Sequence, residues 1–442
     1  MINLLKRFCK SLVLIARKPY YTFIEGHSYL TTEDLERIEL KVGTRDISVE
    51  REFEKAFSNL VGTGDCVSYA SGRMAFFEIL RTLNLQPKDE VIILGFTCSV
   101  MADAIIRIGA LPIFVDVDEE TFGSNPITIQ NAITDRTKVI VAQHSFGIPC
   151  KIEEIVKIAK VNNIFLIEDC ALTLGSKSNG VVVGNFGDVA IFSTDHSKPI
   201  NTILGGLAYS SDLKLLETLR EERTRIDDLT HKHQVQIWKQ LIFERKWQNT
   251  RFAHYLGILQ FATQIRDRIM FKQKFSSAFL IEHLDMEKDA PYPYPARLPS
   301  FLAQLGLIEI QRWPFLKESR KCWLQTFLEG VESFSDLNFL PSAYLNANLE
   351  IVPLRIAWSE PSGKQLRSIL GKRIDSENTW FLAPIVATSK PLISFNYRTG
   401  ACPKSESLAH GMINVPYSID WRKSDYLLEI FEIIKQPKRF EF

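Results

Sequence analysis

Ile164-Phe165-Leu166-Ile167-Glu168-Asp169-Cys170 is an apolar run that ends in two adjacent carboxylates. It is too short for a helix and reads as a strand buried on both faces. Working outward, comparable runs stand at Val139 to Ala142 before it and Val189 to Phe192 after it, with Val91 to Leu94 and Pro112 to Val115 further upstream. Their starts lie 21, 27, 25 and 25 residues apart, room for a strand, a helix and two loops. Helical periodicity fills several gaps, as at Ile152, Ile155, Val156 and Ala159. The expectation is an α/β fold, a mostly parallel sheet between helices.

The 442 residues, 45% hydrophobic and 24% charged, suit a globular chain of two domains and perhaps a third small one. Lys and Arg number 53 against 52 Asp and Glu, which removes the cationic surplus that nucleic-acid binding needs. The balance hides a segregation. Lys6, Arg7, Lys10, Arg17 and Lys18 precede any acid, and eight basic residues between Lys239 and Lys274 meet only Glu244 and Asp267. Seven scattered cysteines without a C-x-x-C spacing indicate neither a disulfide framework nor a zinc site and predict a cytoplasmic protein. The run Ser11 to Ala16 is too short for a signal-peptide core, and no apolar run reaches transmembrane length. Leu4, Leu5, Phe8, Leu12 and Ile15 share one face of a possible helix whose other face is basic, a pattern that suits weak contact with an anionic membrane surface.

Four segments follow. Residues 1–47 form a basic amphipathic lead-in and 48–229 the large α/β domain. Residues 230–290, aromatic and basic, read as a helical insertion. Pro291, Pro293 and Pro295 mark a boundary, after which 291–442 form a smaller α+β domain with a helix from Ser300 to about Trp313, a strand at Ile351 to Trp358, and helices near Lys364 to Leu370 and Ser424 to Ile434.

Three motifs carry chemistry. Ser71-Gly72-Arg73 opens a helix, where backbone N–H groups and the helix dipole favour a phosphate. Glu168-Asp169 stands at the C-terminal end of a strand, the edge where open α/β sheets place ligands. Phe192-Ser193-Thr194-Asp195-His196-Ser197-Lys198 puts a lysine just past another strand, where burial can make it a nucleophile. His196 reads as a packing or hydrogen-bonding residue. A lysine for an aldehyde, an acid for a pyridine nitrogen and an anion cradle together suit pyridoxal 5'-phosphate (PLP).

The order of Ser71-Gly72, Asp89-Glu90-Val91-Ile92, Phe96-Thr97, Gly109-Ala110, Phe114 to Asp118, Glu168-Asp169, Gly184-x-x-Gly187-Asp188 and Phe192-Ser193 with Ser197-Lys198 resembles that of DegT-like nucleotide-sugar aminotransferases. These are fold type I PLP enzymes, with a large domain and a smaller α+β C-terminal domain. The resemblance implies that Lys198 links to the cofactor and moves the substrate proton, and that Asp169 meets the pyridine nitrogen. It places Phe96 against the ring and Ser71, Gly72 and Ser193 at the phosphate. It implies a homodimer, a keto sugar, nucleotide-linked, as substrate, and an amino acid such as glutamate as donor. Three departures stand out. Arg73 replaces a threonine, Leu172 replaces a glutamine whose hydrogen bond is either missing or supplied by another group such as Thr173, and the segment that reaches the partner's site falls in or beside 230–290.

The sequence therefore predicts a PLP-dependent aminotransferase of surface-polysaccharide or amino-sugar biosynthesis. A PLP-dependent sugar dehydratase is a same-fold rival, disfavoured because Lys198 is present where the relatives with that chemistry carry histidine. A non-catalytic partner of this fold docked at a membrane is the other, favoured by Leu172 and the basic aromatic stretch.

Overall fold

The five apolar runs lie side by side as parallel strands. In the computed structural model, which describes residues 20–256, 258–259, 262, 292–335, 337–376, 380–388, 390–423 and 425–435, strand β1 is Asp65–Tyr69, β2 Glu90–Leu94 and β3 Leu111–Val115. Strand β4 is Thr137–Gln143, β5 Phe165–Asp169, β6 Val189–Ser193 and β7 Gly206–Ser210. The sheet order is β1-β7-β6-β5-β4-β2-β3. Strand β7 runs antiparallel to both neighbours, and every other pair is parallel.

Side chains alternate between two cores with the period of a strand. Val91, Ile93, Val139, Val141 and Ile167 join the larger core on one face. Ile92, Ile140, Ala142 and Leu166 join the core on the other, beneath Ile152, Ile155 and Ala159 of helix Ile152–Asn162. Burial on both faces is why these strands read as continuous apolar runs. Strands β1 and β7 escaped that reading because Asp65, Ser68, Gly206 and Ser210 break up their apolar character.

Helix α1 is Ser300–Glu332. The sequence places its end near Trp313, just before Pro314. Instead it runs through the proline. Phe301, Leu302, Leu305, Trp313 and Leu316 pack in the sheet's larger core, while Trp323, Leu324, Phe327 and Val331 enter the core of the small domain. An interior proline costs about 3 kcal/mol, and each large apolar side chain fully buried recovers about 1.5–3 kcal/mol, so burial on both sides of Pro314 wins. The small domain's own strands, β8 (Arg355–Ser359) and β9 (Met412–Pro416), pair antiparallel. Helices Gly363–Leu370 and Tyr426–Lys435 form close to their expected positions.

Helix α2, His231–Trp247, opens the presumed insertion, yet Ile237 and Leu241 are fully buried in the large-domain core. The described part of 230–290 is thus integral to the domain. The lead-in bridges both domains: Tyr21 exchanges backbone hydrogen bonds with Arg373 and Asp375 and stacks on Tyr426 at 3.9 Å, while Gly26 donates to the Gln248 carbonyl at 3.2 Å. The amphipathic stretch Leu4 to Ile15 and the aromatic residues Phe261, Phe271 and Phe275 lie outside the described residues.

Candidate active site

Strands β1, β5 and β6 are parallel and end at one edge of the sheet, and the chemical motifs follow those ends. Ser71 and Gly72 follow β1, Asp169 closes β5, and Ser193 closes β6. Gly206 makes a close approach possible. A Cβ there would stand 2.1 Å from the Gly72 nitrogen, and one on Gly72 would stand 3.3 Å from the Ser193 Cβ. The two glycines thereby seat the N-terminus of helix α3, Gly72–Thr82, directly on β6 and β7. Ser71 caps this helix, its oxygen accepting from the Met74 N–H at 3.4 Å, so its own O–H remains available as a donor. No acid stands in the first turn, and Arg73 is half-buried there. Orphan N–H groups and two serine hydroxyls at this helix start are the kind of donors that suit an anion such as a phosphate.

The adjacent carboxylates have different tasks. Glu168 is fully buried and accepts hydrogen bonds from the N–H groups of Gly184 (2.8 Å), Phe186 (2.6 Å) and Gly187 (2.8 Å). His144 adds a fourth at 3.2 Å; its Nδ1 accepts from the Cys150 N–H, so Nε2 carries the hydrogen that Glu168 receives. His144, Glu168 and Cys170 are near enough together to hold a metal ion, but these bonds already engage both oxygens of Glu168. Asp169 points to other work. Its side chain accepts from the Ala171 N–H at 2.9 Å. Burial raises its pKa above the ordinary 3.8, with Ala171, Lys198 and His144 pulling the other way.

Lys198 follows a pinned turn. The Thr194 N–H donates to Gly205 and the Lys198 N–H to Asp195, each at 2.9 Å. Burial lowers the lysine's pKa; Arg355 adds to the effect, and Asp195 and Asp169 oppose it. A larger neutral fraction makes a better nucleophile. Nζ lies 4.9 Å from the centre of the Trp380 ring. Glu244 of α2, 1% exposed, braces the loop from beneath, with one oxygen 3.7 Å from His196 Nδ1 and the other 3.7 Å from His27 Nδ1. Burial lowers the pKa of His196, but Asp195 and Glu244 more than offset it. This histidine buttresses the lysine loop.

Phe96 is fully buried, with its ring 4.8 Å from Phe381 and 6.5 Å from Phe122. The ring that flanks Lys198 is Trp380, a small-domain residue that sequence reasoning passed over because no spacing rule connects it to the lysine. Arg355 and Glu244 were passed over for the same reason. Leu172 is buried in the small-domain core and offers no hydrogen bond. The neighbouring Thr173 hydroxyl is buried without a hydrogen-bond partner among the described residues. A phosphate cradle, a buried acid, a lysine of lowered pKa and an orphan hydroxyl fit PLP. Lys198 would hold its aldehyde carbon, Asp169 its ring nitrogen, and Ser71, Gly72 and Ser193 its phosphate.

The two carboxylates separate on substitution in the apoprotein. Glu168→Gln trades charge-assisted acceptors, each worth about 1.5–3 kcal/mol, for an amide whose NH2 faces other donors. Urea unfolding should show a loss of roughly 3 kcal/mol. Asp169→Asn should behave oppositely. A carboxyl whose folded pKa is raised stabilises at low pH, and that contribution is lost as pH rises from 3.8 through the folded value. At neutral pH the Asn variant should match or exceed the wild type. Equal effects of the two substitutions would contradict the assignment.

Comparison with known proteins agrees with this geometry. Residues 39–257 match the model of the DegT/DnrJ/EryC1/StrS aminotransferase family. The chain is 37% identical over 186 residues to UDP-N-acetyl-3-dehydro-alpha-D-glucosamine 3-aminotransferase of Acidithiobacillus ferrooxidans, covering 42% of this chain and 50% of that one. It is 37% identical over 192 residues to GDP-perosamine synthase of Escherichia coli O157:H7, covering 42% and 53%. The chain thus spans about half the length of the curated relatives it matches. Solved structures extend the likeness of fold. DesV of S. venezuelae superposes with a TM-score of 0.67 at 20% identity over 91% of this chain and 92% of that one. Helicobacter pylori PseC, an aminotransferase involved in the biosynthesis of pseudoaminic acid, does so at 0.68 and 18% over 94% and 98%. The chain therefore has the fold type I architecture of these aminotransferases, and its residues 39–257 are similar to the DegT/DnrJ/EryC1/StrS family.

Proposed function

We propose that this protein is a PLP-dependent aminotransferase that converts a keto sugar, nucleotide-linked, to an amino sugar, with an amino acid such as glutamate as donor. The observation that carries the reading is the meeting of Lys198, Asp169 and the Ser71-Gly72-Ser193 cradle at one sheet edge. The curated relatives favour a sugar substrate: their names specify a UDP-linked keto sugar and a GDP-linked amino sugar. Surface-polysaccharide biosynthesis is the setting that this substrate class suggests.

Bound at this edge, PLP would supply an electron sink for the charge left when a carbon next to nitrogen loses its proton. Ser71, Gly72 and Ser193 would anchor the phosphate, and Asp169 would keep the ring nitrogen protonated. Lys198 would move the proton at the donor's α-carbon and at the amino-bearing carbon of the sugar. Trp380 would shield that proton transfer from water.

Two further features belong to the proposal. The family resemblance suggests a homodimer. The cations of residues 1–18 and 239–274 suit a cytoplasmic protein that touches the inner face of the membrane. Among the described residues no helix is long and apolar enough to cross one. In the ultracentrifuge, micromolar protein should sediment as a dimer and, at low salt, with anionic but not neutral vesicles. A monomer with transaminase activity would refute the first feature, and equal sedimentation with both vesicles the second.

Borohydride reduction of the holoprotein should leave a phosphopyridoxyl group on Lys198. Lys198→Ala should lose that product and turnover by orders of magnitude. Asp169→Asn should keep the trapped product yet slow the half-reaction with glutamate at least about tenfold, because a charge-assisted hydrogen bond is worth roughly 1.5–3 kcal/mol. Trapping on any other lysine overturns the reading.

A further inference from the structure

The loop that presents Lys198 is gripped on both sides of the lysine, and both grips end on one carboxylate. Two residues before it, His196 lies between Asp195, 3.6 Å from Nε2, and Glu244 of α2, 3.7 Å from Nδ1. Three residues after it, the Asn201 carbonyl faces His27 Nε2 at 2.8 Å, and His27 Nδ1 stands 3.7 Å from the other oxygen of Glu244. Further bonds fix Asn201. Its N–H donates to Glu309 of α1 at 3.4 Å, its side-chain amide donates to the Glu25 carbonyl at 3.2 Å, and its side-chain oxygen accepts from the Ile203 N–H at 2.8 Å. Either histidine thus acts on the loop directly, and Glu244 acts on both.

The fit of these groups depends on protons. A carbonyl oxygen can only accept, so His27 Nε2 carries a hydrogen. In the neutral ring Nδ1 then turns a lone pair toward the carboxylate, two acceptors face to face where His27 is 0% and Glu244 1% exposed. His27 Nδ1 and Glu244 Oε2 have no hydrogen-bond partner among the described residues. A proton on Nδ1 makes the contact an ion pair. His196 repeats the pattern, because only its charged ring presents an N–H to both Asp195 and Glu244. Around them, Glu309 and its partner Arg312 approach His27 from α1, and the Tyr29 ring lies 6.0 Å from it. Lys198 approaches His196, and the Gln240 amide donates to Glu244 at 2.9 Å.

We propose that His27, Glu244 and His196 form a proton-operated brace: with both rings charged it holds Lys198 at the cofactor edge, and loss of those protons slackens the loop. The proposal rests on the reading of Lys198 as the residue that takes the cofactor. Burial pulls the His196 pKa down, yet Asp195 and Glu244 raise it above the ordinary 6.5, with Lys198 opposing. The brace therefore contributes fully below pH 6.5 and weakens as pH rises through the folded value.

PLP affinity of the full-length protein, stripped of cofactor and titrated between pH 6 and pH 9, tests it. Glu244→Gln keeps the shape and removes the charge. It should weaken binding about tenfold at pH 6, and its ratio to wild type should shrink as pH rises, because the wild-type brace then discharges too. Glu244→Asp should restore part of the loss at pH 6. A ratio that is constant over this range marks a packing role and overturns the proposal, as does unchanged affinity at pH 6. Amide exchange of residues 196–203 makes the same comparison without cofactor. Protection, corrected for the intrinsic exchange rate, should fall with pH in the wild type and stay low and flat in Glu244→Gln. If that variant does not fold, the wild type and His27→Gln decide: pH-independent protection in the wild type, or the same profile in His27→Gln, overturns the brace. Failure of wild-type borohydride trapping at Lys198 marks instead the failure of the cofactor reading. The role in presenting a cofactor lysine falls with it, and the exchange profiles alone then decide whether the brace exists.

Discussion

The fully buried carboxylate of Glu168 fixes the geometry on which everything else is built. Three backbone N–H groups of residues 184–187 and the imidazole of His144 converge on it, tying the end of β5 to the segment that leads into β6. A buried charge is tolerated only when its lone pairs are satisfied, and here they are. Gly184 at φ +99° lets the segment turn back, and a Cβ there would meet the Phe192 ring at 2.8 Å. Because Glu168 is held inward, the next residue, Asp169, emerges at the strand end with its carboxyl committed to a single backbone N–H.

Around that point the molecule gathers charges that it does not neutralise. Asp169 is driven toward protonation by burial, Lys198 is driven toward the neutral amine, and Arg355 is held as a cation without a carboxylate beside it. Each arrangement costs stability in the apoprotein, and each is relieved by an anion, an aldehyde or a protonated ring nitrogen. Elsewhere a buried guanidinium does meet a carboxylate: Arg223 pairs with Glu54, which also accepts from Ser68.

The sheet was legible because its five parallel strands are buried on both faces and so leave apolar runs at regular spacing. Strands β1 and β7 left no such run, and the passage of α1 through Pro314 contradicts the local rule, since only the two cores at its ends explain it. At the site, Ser71, Gly72, Asp169, Ser193 and Lys198 follow strand ends and could be placed by counting. Phe96 also follows a strand end, and its ring packs against Phe381. Trp380, Arg355 and Glu244 come from distant parts of the chain and meet Lys198 and its loop only through the packing of the small domain and α2.

The central claim is that one sheet edge holds one cofactor in one orientation. A crystal structure of the protein grown with PLP tests it most directly. The account predicts the phosphate at the N-terminus of helix α3 between Ser71, Gly72 and Ser193, the pyridine nitrogen within hydrogen-bonding distance of Asp169, and the ring joined to Lys198. A cofactor whose phosphate lies elsewhere, or whose nitrogen faces away from Asp169, would contradict it.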